Sequence, residues 1–311
     1  MLRRMRRWLG LALRVLGTGA GLAYIATRVD LDDARGALAR IPVASFALAI
    51  ALVAANVVAG AVRWRVLMRA YGATAIPALP RAIYLYFVSF FYNNYLPGAV
   101  AGDVGRGVVA RDAFATEGAT GALAVVLVER ALGLFALFAL LALGILITGG
   151  AIDTHDLWLW TALGCAGSIA LVLGIAGARR LAPKLPAFLA ARAAKLPVLH
   201  DRAAFAEAAA WSLATQALTA AAGWVLLAAL APIGPGASLL LVPLAAATTF
   251  LPITVGGAGA REAVYIALGG RLFGLTVPDA LAASLGFWFA HLAVGALGGV
   301  AQLVARRQTR A

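Results

Sequence analysis

Apolar stretches recur along the whole chain, at 8–27, 43–62, 82–96, 118–149, 157–178, 208–231, 239–268 and 280–305. A helix needs about 20 apolar residues to cross a bilayer core about 30 Å thick, and most of these stretches meet that length. The longest segment between them is 179–207, which leaves no room for a separate soluble domain. The pattern therefore predicts one transmembrane domain over 1–311, all-α and polytopic.

The polar segments between these stretches predict how the chain is threaded. Basic residues gather at Arg3, Arg4, Arg6 and Arg7, in the 63–81 segment (Arg63, Arg65, Arg69, Arg81), in 179–207, and at Arg306, Arg307 and Arg310. Segment 150–156 carries Asp153 and Asp156 and no Lys or Arg, 232–238 carries no charge, and 28–42 balances its Arg residues with Asp. Lys and Arg are retained on the cytoplasmic side, so both termini are expected there. This threading obliges 82–117 and 239–279 each to enter and leave on the same side. The expectation is about six full spans plus two re-entrant or broken-helix hairpins entering from opposite faces. Two halves, about 1–149 and 157–305, then repeat one order with inverted topology, an arrangement common among transporters. The first apolar run is expected to be a retained span, because no small-x-small cleavage signal closes it.

Composition narrows the function classes. Hydrophobic residues make up 63% and charged residues 13% of the chain, about half the charge share of a soluble domain. The net charge of +13 is read as cytoplasmic loops facing anionic headgroups, with no nucleic-acid partner. The only cysteine is Cys165, and His155, His200 and His291 are widely separated, so no metal or cofactor site is expected. No P-loop, His-Glu-x-x-His or Gly-x-Ser-x-Gly motif occurs.

The chemistry concentrates in the two hairpin segments. The first reads Leu96-Pro97-Gly98-Ala99-Val100-Ala101-Gly102-Asp103-Val104-Gly105-Arg106. The second reads Leu251-Pro252-Ile253-Thr254-Val255-Gly256-Gly257-Ala258-Gly259-Ala260-Arg261-Glu262. In each, Leu-Pro is followed by four residues, a Gly, three residues and an Arg. Pro breaks a helix and Gly permits irregular backbone. Such backbone survives at membrane depth only inside protein or beside water. Exposed helix N-termini attract anions, and an Arg beside one adds a fork that matches phosphate oxygens. The competing reading is that Arg106 and Arg261 snorkel or pair with nearby acids, Arg106 with Asp103 at i and i+3. Glu262 adjoins Arg261 and is expected to point elsewhere.

Glu129-Arg130 lies inside an apolar stretch, where unpaired charge is expensive. Either each finds a partner on another element, or 118–127 is a surface helix and the pair sits at the interface. Tyr92, Asn93, Asn94 and Tyr95 precede the first Leu-Pro and either cap the broken helix or touch a headgroup. Asn56, Gln216 and His291 fall within spans and suit interhelical hydrogen bonds.

With these motifs, over about 10–305, the chain resembles the flippase-like transmembrane domain of lysylphosphatidylglycerol synthases. Glu129-Arg130 is similar to a mid-span pair of that family. The resemblance implies movement of an anionic or modified lipid between leaflets of the cytoplasmic (inner) membrane. The cargo would be an aminoacyl-phospholipid, a polyprenyl-phosphate-linked sugar or a hopanoid-type lipid. It implies a headgroup held between the hairpins, with Arg106 and Arg261 on the phosphate and Asp103, Glu262 and Glu129 orienting them or taking protons. Arg130, Asn93, Asn94, Gly102, Gly257, Pro97 and Pro252 would complete the site. The sequence shows no counterpart of the family's aminoacyl-transfer domain, so no enzymatic activity is expected. It departs from the family at Gly256 and Gly133, where Asn and an acid are frequent. Membrane lipids are the expected partners, with a lipid-modifying enzyme, a glycosyltransferase or a second copy of the chain as further ones. The rival readings are a membrane-embedded lipid or glycolipid transferase, and a non-catalytic subunit of a lipid-modifying complex.

Overall fold

Ala and Leu dominate the apolar stretches, and both are strong helix formers. The computed structural model describes residues 31–96, 100–148, 155–184, 186–248 and 259–308. Among them all regular structure is helical: α1 (Leu31–Ala39), α2 (Val43–Ala70), α3 (Leu79–Tyr95), α4 (Ala101–Val109), α5 (Gly118–Thr148), α6 (His155–Leu181), α7 (Ala187–Ala193), α8 (Arg202–Ala228), α9 (Pro235–Thr248), α10 (Ala260–Phe273) and α11 (Val277–Gln308). Short 3-10 turns follow α4 and α6.

Five segments of the described residues are long and apolar enough to span: Val43–Ala70, Gly118–Thr148, Asp156–Lys184, Arg202–Ala228 and Val277–Ala305. The expected first span, 8–27, lies outside the described residues. The protein is an all-α polytopic membrane protein. Within a bilayer every backbone polar group must be satisfied inside the chain, and helices do this without partners.

The two Leu-Pro segments each separate a pair of shorter helices. Helix α4 folds back on α3, and α10 packs on α9. Small residues bring these helices close. A Cβ built on Gly102 of α4 would lie 1.9 Å from the Ser89 carbonyl oxygen of α3. A Cβ on Gly298 of α11 would lie 2.0 Å from the Phe87 carbonyl oxygen. Helix α3 is thus clasped between two glycine contacts, one from each neighbour. Tyr92 also donates to Gln302 at 2.9 Å and Tyr95 to the Leu292 carbonyl at 3.0 Å, tying α3 to α11.

The core runs along α2 and α8. Val53 and Val57 meet Ala222, Leu226 and Leu227 in one apolar cluster, and Trp64, Leu67 and Met68 meet Val125 and Ala204 in another. Helix α2 differs from expectation in length. The sequence places Arg63, Arg65 and Arg69 in a cytoplasmic loop, but the helix continues to Ala70, 28 residues in all. Arg63 is consequently buried, with 8% of its surface exposed. The helix continues because no Pro or Gly interrupts 61–70 and partners across the bundle satisfy the guanidinium.

Candidate functional site

The mid-helix charges of α5 organise the site. Helix α5 is continuous through Glu129 and Arg130, which excludes a separate surface helix over 118–127. Successive helical residues diverge by about 100°, so the two side chains reach different neighbours. Glu129 accepts hydrogen bonds from Arg63 at 3.0 Å and Tyr86 at 2.6 Å on one oxygen, and from Arg106 at 2.8 Å on the other. Arg130 donates through Nε to Asp103 at 2.9 Å, with its Nη2 at 2.6 Å from the same oxygen. Asp103 also accepts from Ser89 at 2.9 Å and from Arg106 at 3.2 Å. Arg63 completes its set on α8, donating to Thr215 at 3.2 Å and Ser212 at 3.4 Å.

Burial makes this network expensive unless it is well paired. The side chains of Arg106 and Glu129 are each 2% exposed. The Arg106 guanidinium carbon lies 4.2 Å from the Tyr86 ring centroid and 4.6 Å from that of Trp64. Ring faces attract a cation, and here they replace water around it. The pairing of Arg106 with Asp103 that the sequence allows is present, and it is part of a larger network. Among the described residues, Asp103 and Glu129 are the carboxylates that tie Arg63, Arg106 and Arg130 together.

A cavity of about 220 Å³ adjoins the network. That is far above the roughly 10–15 Å³ that admits one water. Its polar lining includes Asn56, Arg63, Asn93, Arg130, Thr215 and Gln216, with Asp103, Glu129 and Gly133 beside them. Arg106 is not part of the lining; it stands behind it and holds Glu129 and Asp103. Asn93 bridges the α3–α4 break by accepting from the Gly102 N–H at 2.9 Å. Asn94 instead donates to the Phe90 carbonyl of its own helix at 2.8 Å.

The second motif forms its own cluster at the start of α10. Gly259, with φ 85°, precedes the helix in a conformation that glycine tolerates. Its N–H donates to Glu262 at 2.7 Å, closing the first turn. Arg261 donates through Nε to the other Glu262 oxygen at 2.9 Å and to Ser284 of α11 at 3.2 Å. Ser284 in turn donates to Glu262 at 3.2 Å. The sequence suggests that Glu262 points away from Arg261, and the structure corrects this. In the first helical turn, Glu262 folds back to cap and the long Arg261 side chain follows it. Arg261 and Glu262 form a pair of balanced charge and do not line the 220 Å³ cavity. Ser284→Ala should cost about 1.5–3 kcal/mol by removing a buried bond to charged groups. Chemical unfolding in detergent measures it, and a change below a few tenths would show the hydroxyl to be a bystander.

Pro97, Pro252 and Gly257, also expected at the site, lie outside the described residues. Among the described residues no group of His, Cys, Asp and Glu is arranged to hold a metal ion. Sequence reasoning missed Arg63, Tyr86, Ser212 and Thr215 as members of the network. One signal for Arg63 was present: it follows Asn56 by seven residues, on the same face of a helix.

The fold and this buried charge network define a polytopic membrane protein built around a polar interior site. Residues 8–299 match the model of the family described as the lysylphosphatidylglycerol synthase TM region. The chain belongs to that family. No curated protein matches it. Family membership associates the chain with membrane lipids.

Proposed function

We propose that the protein is a flippase-like transporter that moves an anionic or phosphate-bearing lipid between leaflets, and not an enzyme. The supporting observation is the cavity beside the Arg63–Glu129–Arg106–Asp103–Arg130 network. Charged groups within spans are costly and mark substrate or ion pathways far more often than they serve stability. Here the network keeps its guanidiniums oriented by carboxylates while the cavity exposes Arg63, Arg130 and several amides to an incoming headgroup.

In this reading the α3–α4 and α9–α10 pairs are re-entrant hairpins of two inverted repeats, about 1–149 and 157–305. Both termini face the cytoplasm across the inner membrane. Arg261 and Glu262 form the counterpart of the first hairpin's charged motif and hold the second hairpin shut between transport events. The cargo class is an aminoacyl-phospholipid, a polyprenyl-phosphate-linked sugar or a hopanoid-type lipid. An enzyme that makes or consumes the lipid is the natural partner.

Reconstitution tests this. Wild-type protein in proteoliposomes should accelerate leaflet exchange of at least one labelled phosphate-bearing lipid. Arg130→Gln should lower that exchange by about tenfold or more, the loss of one charge-assisted contact. Arg130 is the informative choice because its side chain is 28% exposed, the most of the network's three arginines, so folding depends on it least. Exchange by Arg130→Gln at the wild-type rate would remove this network from the transport path.

A further inference from the structure

Carboxamides from three helices line the cavity: Asn56 of α2, Asn93 of α3 and Gln216 of α8. Each is half-buried, and each has one end held by the protein. The partner fixes which end that is, because an amide oxygen accepts and an amide nitrogen donates. Asn93 accepts the Gly102 N–H through Oδ1 at 2.9 Å, so its Nδ2 is the end left over. Gln216 donates from Nε2 to the Gly133 carbonyl at 3.1 Å, which leaves Oε1 and one N–H. Asn56 donates from Nδ2 to the Thr219 hydroxyl oxygen at 2.7 Å. The Thr219 hydroxyl proton is spent on the Thr215 carbonyl at 2.9 Å, so this oxygen accepts from Asn56. The end left over on Asn56 is therefore Oδ1. None of these remaining ends has a partner among the described residues.

We infer that these amides select hydroxyl-bearing headgroups, of the glycerol or sugar type, over phosphate esters of equal charge that lack hydroxyls. This deepens the transport reading above and rests on it. The cavity wall presents oxygen acceptors at Asn56 and Gln216 beside an N–H donor at Asn93. A phosphate diester only accepts, so it satisfies guanidiniums and Asn93 but leaves both oxygens unmet. An ammonium only donates, so it leaves Asn93 unmet. A hydroxyl does both. Asn56 also stands seven residues from Arg63 on α2, about two helical turns. A headgroup whose phosphate sits at Arg63 meets Asn56 only through the atoms beyond that phosphate. Thr219 is a positioning residue: it acts through Asn56, by holding the amide with its oxygen toward the cargo.

The test compares phosphatidylglycerol with phosphatidylpropanol, which has the same phosphodiester and the same number of headgroup carbons but no hydroxyl. The first readout is leaflet exchange of the two labelled lipids in proteoliposomes. Wild type should favour phosphatidylglycerol by about fivefold or more, the worth of one to two net hydrogen bonds. The near-isosteric variants Asn56→Leu and Thr219→Val should each lower that ratio by about threefold. The ratio is read within each variant, so poorer folding slows both lipids and leaves it unchanged. The second readout is thermal unfolding in neutral detergent, which requires no transport. Phosphatidylglycerol should raise the wild-type midpoint more than phosphatidylpropanol does, and this difference should shrink in Asn56→Leu.

Equal exchange and equal midpoint shifts for the two lipids in wild type would overturn the inference and make the amides a hydrated wall. So would phosphatidylethanolamine matching phosphatidylglycerol, since an ammonium would then serve as well as a hydroxyl. An unchanged ratio in folded Asn56→Leu would remove Asn56 from recognition, and an unchanged ratio in Thr219→Val would remove Thr219 from positioning it. If no wild-type exchange of any lipid is found, the transport reading fails, yet a midpoint raised more by phosphatidylglycerol than by phosphatidylpropanol would still support the hydroxyl site. A shift produced by glycerol 3-phosphate and not by phosphatidylglycerol would overturn a lipid as the source of the hydroxyls.

Discussion

Glu129→Ala is expected to destabilise the protein by about 3–5 kcal/mol, the usual loss when one partner of a buried ion pair is removed. Glu129 is the joint acceptor for Arg63, Arg106 and Tyr86, so its loss strands two guanidiniums at once. Asp103 remains for Arg106, at 3.2 Å, but Arg63 is left with hydroxyls alone. The loss removes one of the two carboxylates that hold these arginines, at side chains that are 2–10% exposed. Glu129→Gln should cost less, since it keeps an acceptor and the side-chain volume while losing the charge. Denaturant unfolding in a fixed detergent reports the difference. A double-mutant cycle with Arg106→Met isolates the pair, with a coupling expected between about 0.5 and 3 kcal/mol for groups in direct contact. A loss below about 1 kcal/mol in Glu129→Ala would mean that water reaches this network freely, contrary to its burial.

Gly102→Ala should be the most damaging single methyl group in the chain's first half. The added carbon would sit 1.9 Å from the Ser89 carbonyl oxygen, and backbone cannot rotate aside as a flexible side chain can. Overpacking of this kind costs about 1–3 kcal/mol and occasionally more. The functional consequence should exceed the thermodynamic one. If α4 lifts from α3, Asp103 and Arg106 move with it, and both the Ser89–Asp103 bond at 2.9 Å and the Arg106–Glu129 bond at 2.8 Å are strained. Lipid exchange in Gly102→Ala is expected to fall by at least about tenfold even where folded protein is recovered. Gly105→Ala, three residues along the same helix, meets nothing within 4 Å and serves as the control. It should be neutral or stabilising by up to about 1 kcal/mol, the helix propensity gained. Equal behaviour of the two variants would show that α4 does not depend on close approach to α3.

Much of the fold was legible along the chain because membrane solvation is a local demand. A stretch such as 118–149 must be apolar for about 20 residues and must bond its own backbone, and both requirements are met within the stretch itself. The Leu-Pro and Gly-rich motifs were legible for a related reason, since they disobey that demand. Glu129-Arg130 announced a site in the same way, as charge where charge is expensive. The length of α2 was not legible. A basic run after an apolar stretch usually marks the end of a span, and Arg65 and Arg69, which are not buried, fit that rule. Arg63 does not, because Glu129 and Thr215, 66 and 152 residues away, supply what water would otherwise provide.

Sequence alone thus determined that this is a polytopic helical membrane protein, where most of its spans lie, and which charges had to find partners. Tertiary structure decided which partners those are. It made Glu129 the hub, put Arg106 behind the cavity wall and Arg63 in its lining, and turned Arg261 and Glu262 toward each other. It also made Gly102 a point of backbone contact between α4 and α3. The division follows from range. Hydropathy and helix formation are set by neighbours along the chain, whereas a buried charge is satisfied by whatever the packing of five separate helices brings within 3.2 Å of it.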